Sequence, residues 1–500
     1  MFTFENALPE ETGIPTDCIS HFVERLKIRH IPMHSLLIMH HDKLIFEGYY
    51  DPCRTDTLHR MFSISKSFTS IAIGLLVDEG KISMDDPIIK YFPEKLPPNV
   101  HPWIASMTIR NMLMMRTCHA STTYKLNMAS DWVESFFTTP PTHPAGTIFH
   151  YDTSAAHTLC TLVEKLTGEN MLDYIKKKLD VLGLSENSYM LKDPFGVSIG
   201  GSGLVALSTD LMRFGYFIAH KGMVDGKQLI SSSYIELATS CLTETQITAP
   251  LPSEAQGYGL QFWRGEKNGY TCYGMGGQLI IFLPDYDLIC VTTADTQSIG
   301  GGNQQIYDAL YEEILPYIQD EPLPVTKGSV KLLNDVLSSL KIEELSSLPM
   351  PESAAAIIGK DFRVITENSQ FDSFCLNIDT NVINQSQSNN TENNIDPQGQ
   401  YSNPPQSGTL SFVYKNTACT VNFGIGCMKT GIFPIYDLKY CASGAWLADG
   451  TFYIKVHIID SYVGIVYFQL SFGKDDLTIF MRKKEESLFK EFEGHLYCKS

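Results

Sequence analysis

The sequence lacks the features that mark nucleic-acid-binding, membrane-spanning and secreted proteins. It has 38 lysine and arginine residues against 56 aspartate and glutamate residues, and its basic residues form only short runs such as 176–178. Because basic surfaces hold phosphate backbones, the net charge of -18 argues against a nucleic-acid partner. No stretch reaches the ~18 apolar residues that a membrane helix needs, and the N-terminus has no secretory pattern. We therefore predict no membrane span and a cytoplasmic protein.

Metal-type spacings are also missing. The twelve cysteines form no CxxC pair, which predicts reduced, mostly buried thiols rather than a disulfide framework. Cys118 beside His119 resembles a thiolate–base pair, but sequence neighbours need not meet in space, and a buried cysteine is the favoured alternative. His40 and His41 lie at a strand end, where they are expected to point to opposite faces. We predict neither a metal site nor a cofactor.

The hydrophobic pattern divides the chain. Residues 1–322 alternate helical patterns with short strands at both ends, which predicts an α/β (α+β) domain with an antiparallel sheet flanked by helices. Residues 323–352 read as a linker with a bracing helix. Residues 353–500 alternate strongly and predict a small C-terminal antiparallel β domain that caps the site or mediates assembly. The segment near 380–408 is so poor in apolar residues that we expect a disordered insertion.

The stretch "HRMFSISKSFTSIAIGLLVDEG" places Ser63 three residues before Lys66. The same SxxK spacing occurs at three other places, namely Ser338 with Lys341, Ser471 with Lys474, and Ser487 with Lys490. The first occurrence differs because apolar residues follow it with helical period up to Gly80, which predicts a buried helix. The SxxK spacing alone therefore says little about function, and the apolar residues that follow Ser63 are the more informative feature.

A buried SxxK pair has a chemical consequence. Residues three apart share a helix face, so Lys66 lies beside Ser63. Desolvation lowers the pKa of a lysine, which allows it to take the proton of a serine hydroxyl. The N–H groups of the first turn can also point at a developing oxyanion. The alternative is a surface helix that begins with Ser63 as its N-cap.

Two further segments supply candidate partners. "HPAGTIFHYDTSAAHTLCTLVEKLTG" places Tyr151 at the end of a loop before a helix, and a hydroxyl near Lys66 could relay a proton. The alternative for this tyrosine is simple packing. "YGMGGQLIIFLPD" brings a glycine-rich entry to a strand, where a substrate could lie against the backbone or where the glycines form only a tight turn.

Together these segments resemble the serine β-lactamase and penicillin-binding-protein-like hydrolases, in the branch of class C β-lactamases, family VIII carboxylesterases and 6-aminohexanoate-dimer hydrolases. The resemblance covers roughly residues 15–320. It includes the segments "MDDPIIKYFPE", "MTIRNMLMM", "GGSGLVALSTDLMRFG", "GYGLQFW" and "GMGGQLIIFLPDYDLICV". It implies that Ser63 is the acylated nucleophile, Lys66 its proton partner and Tyr151, in a YxN-type element, a general base or acid. The backbone N–H groups of Ser63 and Gln278 would form the oxyanion hole.

Three departures from the family pattern bear on the substrate. Thr153 replaces the asparagine of YxN. Met275, Gly276 and Gly277 stand at the KTG or HTG position, so no cation is present there for a substrate carboxylate. The segment "MLMMRTCHA" replaces "LLTHTSG". A neutral or weakly polar ester, or a small amide, is therefore expected at a site that includes Thr153 and residues 275–277.

The leading hypothesis is a serine esterase or amidase acting through an acyl-enzyme. An acyltransferase that uses the same acyl-enzyme differs only in its acceptor. A β-lactamase or D-alanyl peptidase is disfavoured by Met275 and by the missing export signal, and a catalytically silent binding protein of the same fold stays open. The sequence is compatible with a homo-oligomer and identifies neither the acyl group nor the acceptor.

Overall fold

The computed structural model describes residues 2–379, 406–485 and 487–500. The chain divides into two compact units, Met1–Tyr50 with Arg54–Leu340 and Asp51–Cys53 with Lys341–Ser500. Most of the expected disordered insertion, residues 380–405, lies outside the described residues, whereas residues 406–408 begin a strand. All twelve cysteines are free and most are buried, as predicted.

The first unit is a mixed structure of helices and strands. Its helices are α1 (Thr16–Ile28), α2 (Ile64–Asp78), α3 (Pro102–Ala105), α4 (Ile109–Leu113), α5 (Trp132–Thr138), α6 (Thr153–Thr167), α7 (Met171–Lys178), α8 (Ser208–Ala219), α9 (Ser232–Ala238), α10 (Gly302–Glu313) and α11 (Lys327–Ser339). Its strands are β1 (Glu5–Asn6), β2 (Met33–His40), β3 (Lys43–Tyr49), β4 (His59–Arg60), β5 (Tyr189–Met190), β6 (Leu204–Ala206), β7 (Met223–Val224), β8 (Lys227–Gln228), β9 (Trp263–Arg264), β10 (Tyr270–Gly274), β11 (Gln278–Leu283) and β12 (Leu288–Ala294). Among the described residues, none of the helices combines the length and the apolar character that crossing a bilayer requires.

The main sheet of this unit joins strands from distant parts of the chain. Its order is β1-β3-β2-β12-β11-β10-β9, and all of its pairings are antiparallel except that between β1 and β3. Every residue of β2, β11 and β12 is buried, and α8 packs on all three strands. Central strands covered in this way need apolar side chains in nearly every position, which their sequences supply. The predicted antiparallel sheet, built from both ends of the domain, is confirmed.

Helix α2 lies inside the first unit. Each residue from Ile64 to Leu76 is buried, and the helix packs against α6, α7 and β10. A helix with apolar residues around most of its circumference is expected to be surrounded by protein. The sequence-based prediction of a buried helix after Ser63 is therefore confirmed, and this helix fixes where the serine can lie.

The second unit is a β domain of ten strands. They are β13 (Asp361–Val364), β14 (Phe371–Ile378), β15 (Gln406–Tyr414), β16 (Thr417–Ile425), β17 (Lys429–Phe433), β18 (Leu438–Trp446), β19 (Phe452–Ile459), β20 (Val463–Phe472), β21 (Asp476–Lys484) and β22 (Gly494–Lys499). The order is β16-β15-β14-β13-β22-β21-β20-β19-β18-β17, and a bridge between Gly424 and Ser443 closes it into a barrel. Side chains alternate between exposed positions and one aromatic-rich core, as in β14. The predicted C-terminal antiparallel β domain is confirmed.

Two helical glycines test the packing around α2. A Cβ on Gly74 would lie 2.5 Å from the Tyr234 ring, whereas a Cβ on Gly328 in α11 would meet only Thr326 Oγ1, at 3.5 Å. Alanine is favoured over glycine in a helix by about 1 kcal/mol, but overpacking a core costs about 1–3 kcal/mol. We expect Gly74→Ala to lower and Gly328→Ala to raise the free energy of unfolding measured by urea titration. Changes of the same sign in both variants would contradict the packing around Gly74.

Candidate active site

Ser63 stands at a sharp turn between β4 and α2. It is the residue before the first helical residue, Ile64, and its φ and ψ are -71° and -5°. The preceding residue, Phe62, has a φ of +45°, which a bulky side chain rarely adopts. Such strain persists only where surrounding contacts hold it, and it is common at active sites. The turn places the serine hydroxyl at the first turn of a buried helix.

Lys66 is brought against this hydroxyl. Only 1% of its surface is exposed, and its Nζ lies 2.9 Å from Ser63 Oγ. The same nitrogen donates a hydrogen bond of 2.7 Å to the carbonyl oxygen of Gly201 and lies 4.6 Å from the centre of the Tyr151 ring. The amine therefore has a fixed position between the serine, a backbone carbonyl and an aromatic face.

Tyr151 belongs to an aromatic cluster beside this pair. Its ring packs with Trp263 at a centroid distance of 5.4 Å and with Tyr258 at 6.2 Å. Burial raises the pKa of the Tyr151 phenol well above its usual value, and a hydrogen bond with the Ser63 side chain offsets part of this effect. The phenol thus keeps its proton at neutral pH and faces the serine as a hydroxyl.

The turn between β10 and β11 lies next to the serine segment. A Cβ on Gly274 would be 2.6 Å from the Met61 carbonyl oxygen, so only glycine permits this approach. Gly276 and Gly277 follow in the turn with φ values of +82° and +91°. The glycine turn therefore begins one residue after Gly274, which contacts the chain two residues before Ser63.

The side chain of Gln278 stabilises the glycine turn through hydrogen bonds. Its Nε2 donates to the carbonyl oxygens of Met275 and Ala294, both at 2.9 Å, and its Oε1 accepts from Ala294 N at 3.0 Å. The amide therefore ties the glycine turn to the end of β12. Only the backbone N–H of Gln278 enters the oxyanion expectation, and the side chain holds the turn in place.

Thr153 packs against the loop residue that accepts a hydrogen bond from Lys66. It is the first residue of α6, after Asp152 caps the helix by accepting from Ser154 N at 2.9 Å. A Cβ on Gly201 would lie 2.4 Å from the Thr153 methyl, so the threonine packs directly against the glycine whose carbonyl holds Lys66. Thr153 thus meets the loop that holds Lys66 through an apolar contact.

Sequence analysis missed the loop at 200–204, which it treated only as a spacer. Ser65 Oγ donates to the Phe62 carbonyl at 2.6 Å and accepts from Leu204 N at 2.9 Å. One buried hydroxyl thereby links the strained residue before Ser63 to this loop. The hydroxyl two residues after Ser63 was visible in the sequence, but nothing there indicated its partners.

Two more side chains fasten the same loop. Thr69 Oγ1 donates to the Gly200 carbonyl at 2.9 Å, and Arg60 Nε donates to the Ser202 carbonyl at 3.0 Å. Together with Lys66 they use three successive loop carbonyls. Backbone acceptors leave no sequence signal, which is why glycine spacing alone could not reveal this role.

The other sequence candidates lie apart from this chemistry. Cys118 is buried, and burial raises the pKa of its thiol to about 12, so it is not a thiolate. The expectation that His40 and His41 point to opposite faces is wrong: their rings are 4.0 Å apart because His41 is in the turn with a φ of +49°. Within the described ranges, no group of three or more potential ligands is arranged for a metal ion.

A helix-flanked sheet with a serine and a lysine paired at the start of a buried helix defines a β-lactamase-fold hydrolase of the serine type. The Beta-lactamase family model matches residues 18–309, more than half of the chain, and the chain belongs to that family.

Relatives agree with this assignment. A 6-aminohexanoate-dimer hydrolase of Paenarthrobacter ureafaciens is 23% identical over 284 residues, 51% of this chain and 71% of the relative. The mitochondrial serine β-lactamase-like protein LACTB of Bos taurus is 44% identical over 52 residues, 9% of each chain. A solved structure from Bacillus anthracis, named as a candidate 6-aminohexanoate-dimer hydrolase, has a TM-score of 0.51 and 20% identity over 62% of this chain and 86% of its own. The structural similarity bears on the fold alone.

The Ser65 link can be tested by stability. Ser65→Ala leaves the Phe62 carbonyl and Leu204 N–H buried without this partner, which costs about 1–3 kcal/mol. The exposed Ser338, whose hydroxyl donates to the carbonyl of Asp335 one turn earlier in α11, is the matched control, and its alanine variant should change stability by less than about 0.5 kcal/mol. Urea unfolding measures both variants, and equal effects would remove the role assigned to Ser65.

Proposed function

We propose that the protein is a serine hydrolase that cleaves an ester or a small amide through an acyl-enzyme on Ser63. The observation that carries this proposal is the 2.9 Å contact between Lys66 Nζ and Ser63 Oγ within a buried site. A serine hydroxyl is a weak nucleophile unless a neighbouring base accepts its proton. A buried amine at hydrogen-bond distance meets that requirement.

In the first step Ser63 Oγ attacks the substrate carbonyl carbon while Lys66, as the neutral amine, accepts the hydroxyl proton. The new C–O bond forms as the carbonyl electron pair moves onto oxygen. That oxyanion is stabilised by the backbone N–H groups of Ser63 and Gln278, the latter at the turn next to Met61. Collapse of the tetrahedral intermediate expels the leaving group and leaves Ser63 acylated, and water then attacks the ester in a second step of the same type.

Tyr151 acts as the proton donor to the leaving group. Support comes from the raised pKa of its phenol, which keeps it protonated, and from the position of its ring 4.6 Å from Lys66 Nζ, the amine beside Ser63. The Lys66 ammonium, 4.6 Å from the centre of the ring, offsets the charge of the phenolate, and water carries the proton back to the phenolate between the two steps. A group that stays protonated at the operating pH is suited to general-acid catalysis and not to general-base catalysis.

The substrate class follows from what lines the site. Met275 provides no cation for a carboxylate, and Thr153 provides no amide where the family has an asparagine. A neutral or weakly polar ester is therefore favoured over a β-lactam or a D-alanyl peptide. One relative is named as a 6-aminohexanoate-dimer hydrolase, which supports including small amides.

The nucleophile can be identified directly. Incubation with a fluorophosphonate should add one adduct mass to the peptide that carries Ser63, and the protein should hydrolyse a p-nitrophenyl ester. Ser63→Ala should lose both signals, because the Ser63 hydroxyl is the one that lies 2.9 Å from the Lys66 amine. Ser338→Ala, which removes the serine of another SxxK spacing, should keep both. Labelling that survives Ser63→Ala, or an unlabelled wild type, would refute the proposal.

Tyr151→Phe tests the donor role. Removing the acid should slow hydrolysis of an alkyl ester by about 10²–10⁴-fold, because an alkoxide needs a proton to leave. A p-nitrophenyl ester should be much less affected, since its leaving group departs as the anion.

The pH dependence provides a second check on Tyr151. Because its folded pKa lies above the usual value of about 10, activity of the wild type on the alkyl ester should not fall between pH 8 and about 10 through loss of this proton. Equal slowing of both esters in Tyr151→Phe, or a decline in wild-type activity below pH 9, would contradict a protonated donor.

A further inference from the structure

One face of α6 lies directly against the loop of residues 191–203. A Cβ on Gly201 would be 2.4 Å from the Thr153 methyl, and a Cβ on Gly200 would be 2.1 Å from Cys160 Cβ. Thr153 and Cys160 lie about two helical turns apart in α6, so both side chains belong to the same face of the helix. The loop reaches this face because glycines have no side chain at the two contacts.

His157 lies between these two contacts on the same face of α6. Its Nε2 is 3.1 Å from Asp193 Oδ2, and the exposed fractions of the two side chains are 0% and 2%. The Trp132 ring packs edge-on against the imidazole at a centroid distance of 5.2 Å, which limits the orientations of the imidazole. Burial raises the pKa of the Asp193 carboxyl, but the bonds from His157 and from loop N–H groups outweigh burial and lower this pKa below its usual value. The imidazole therefore donates to a carboxylate.

The Asp193 carboxylate also shapes the loop. Its Oδ1 accepts from Phe195 N at 2.8 Å and from Val197 N at 2.9 Å, and Asp193 N donates to the Val197 carbonyl at 2.8 Å. One oxygen of the carboxylate thus folds the loop, while the other binds His157 on the helix. A buried carboxylate is costly to leave without a partner, so the pair holds loop and helix together.

This loop is the one that receives the buried lysine. The Gly201 carbonyl accepts from Lys66 Nζ at 2.7 Å, and the Gly200 carbonyl accepts from Thr69 Oγ1 at 2.9 Å. Tyr151 precedes the first residue of α6 by two positions. The contact between helix and loop therefore joins the segment that carries the phenol to the carbonyl that holds the amine.

We propose that His157 is a positioning residue of the active site. Its bond to Asp193 fixes the 191–203 loop, and the loop in turn fixes the Gly201 carbonyl and the Lys66 amine. This inference rests on the proposed serine hydrolase function and adds to it a residue that acts through the loop and not on the substrate. A displacement of about 1 Å at a reacting group can lower a rate by about 10²-fold, so a small shift of this carbonyl is enough to slow the reaction.

Two substitutions of His157 separate the hydrogen bond from packing. His157→Leu fills the space but cannot bind Asp193, and it should lower the rate constant of fluorophosphonate adduct formation at Ser63 by about tenfold or more. His157→Gln keeps an N–H donor at a similar reach and should restore the rate constant to within about threefold of wild type. The end point of labelling counts the folded molecules, whereas the rate constant reports on each competent site. Partial unfolding therefore lowers only the end point.

Steady-state kinetics and a matched control complete the experiment. On a p-nitrophenyl ester, His157→Leu should lower kcat and kcat/KM by the same factor, because Lys66 acts in the chemical step. His40 is another buried histidine, at the end of β2 with its ring 4.0 Å from that of His41. His40→Leu removes a buried imidazole that does not contact the 191–203 loop, and it should keep the rate constant within about twofold of wild type.

The outcomes separate this role from the hydrolase proposal. If His157→Leu labels at the wild-type rate, or if His157→Gln is as slow as His157→Leu, the positioning role is overturned while Ser63 labelling still supports the hydrolase. Equal slowing in His40→Leu would overturn it in the same way. If His157→Leu gives no labelled molecules, His157→Asn, whose shorter amide does not reach Asp193, replaces it with the same expectation. A wild type that does not label at Ser63 refutes the hydrolase, and the positioning role fails with it.

Discussion

The arrangement of the first unit depends on one buried amine. Lys66 Nζ is held between Ser63 Oγ and the Gly201 carbonyl, with almost none of the side chain exposed. Placing a lysine in an apolar interior is costly unless polar groups receive it. Three features surround the amine. Helix α2 buries it, the loop that includes Gly201 supplies a backbone carbonyl, and the strained residue Phe62 precedes the serine that contacts it.

The strained backbone of Phe62 and the hydrogen bonds of Ser65 act together to position Ser63. Phe62 keeps a left-handed backbone because Ser65 holds its carbonyl and joins it to Leu204. Gly274 allows β10 to approach the Met61 carbonyl, two residues before Ser63. Each contact is modest in energy, but together they leave the Ser63 hydroxyl and the Lys66 amine little freedom. Such preorganisation is what lowers the cost of reaching a transition state.

Sequence reasoning reached the fold because period and burial leave clear patterns. The helical period of apolar residues after Ser63 distinguished one SxxK spacing from three others, and alternating strands marked the β domain. It missed the loop at 200–204 because backbone carbonyls have no sequence signature. It misplaced His41 because a positive φ in a turn overrides strand alternation.

The central claim is that Lys66 is the base for Ser63. The rate of fluorophosphonate adduct formation at Ser63, measured against pH in wild type and Lys66→Ala, tests it most directly. We predict that the wild-type rate rises with pH along a single ionisation to a plateau, and that Lys66→Ala loses both this ionisation and most of the rate. A Lys66→Ala protein that reacts as fast as wild type, with the same pH profile, would contradict the account.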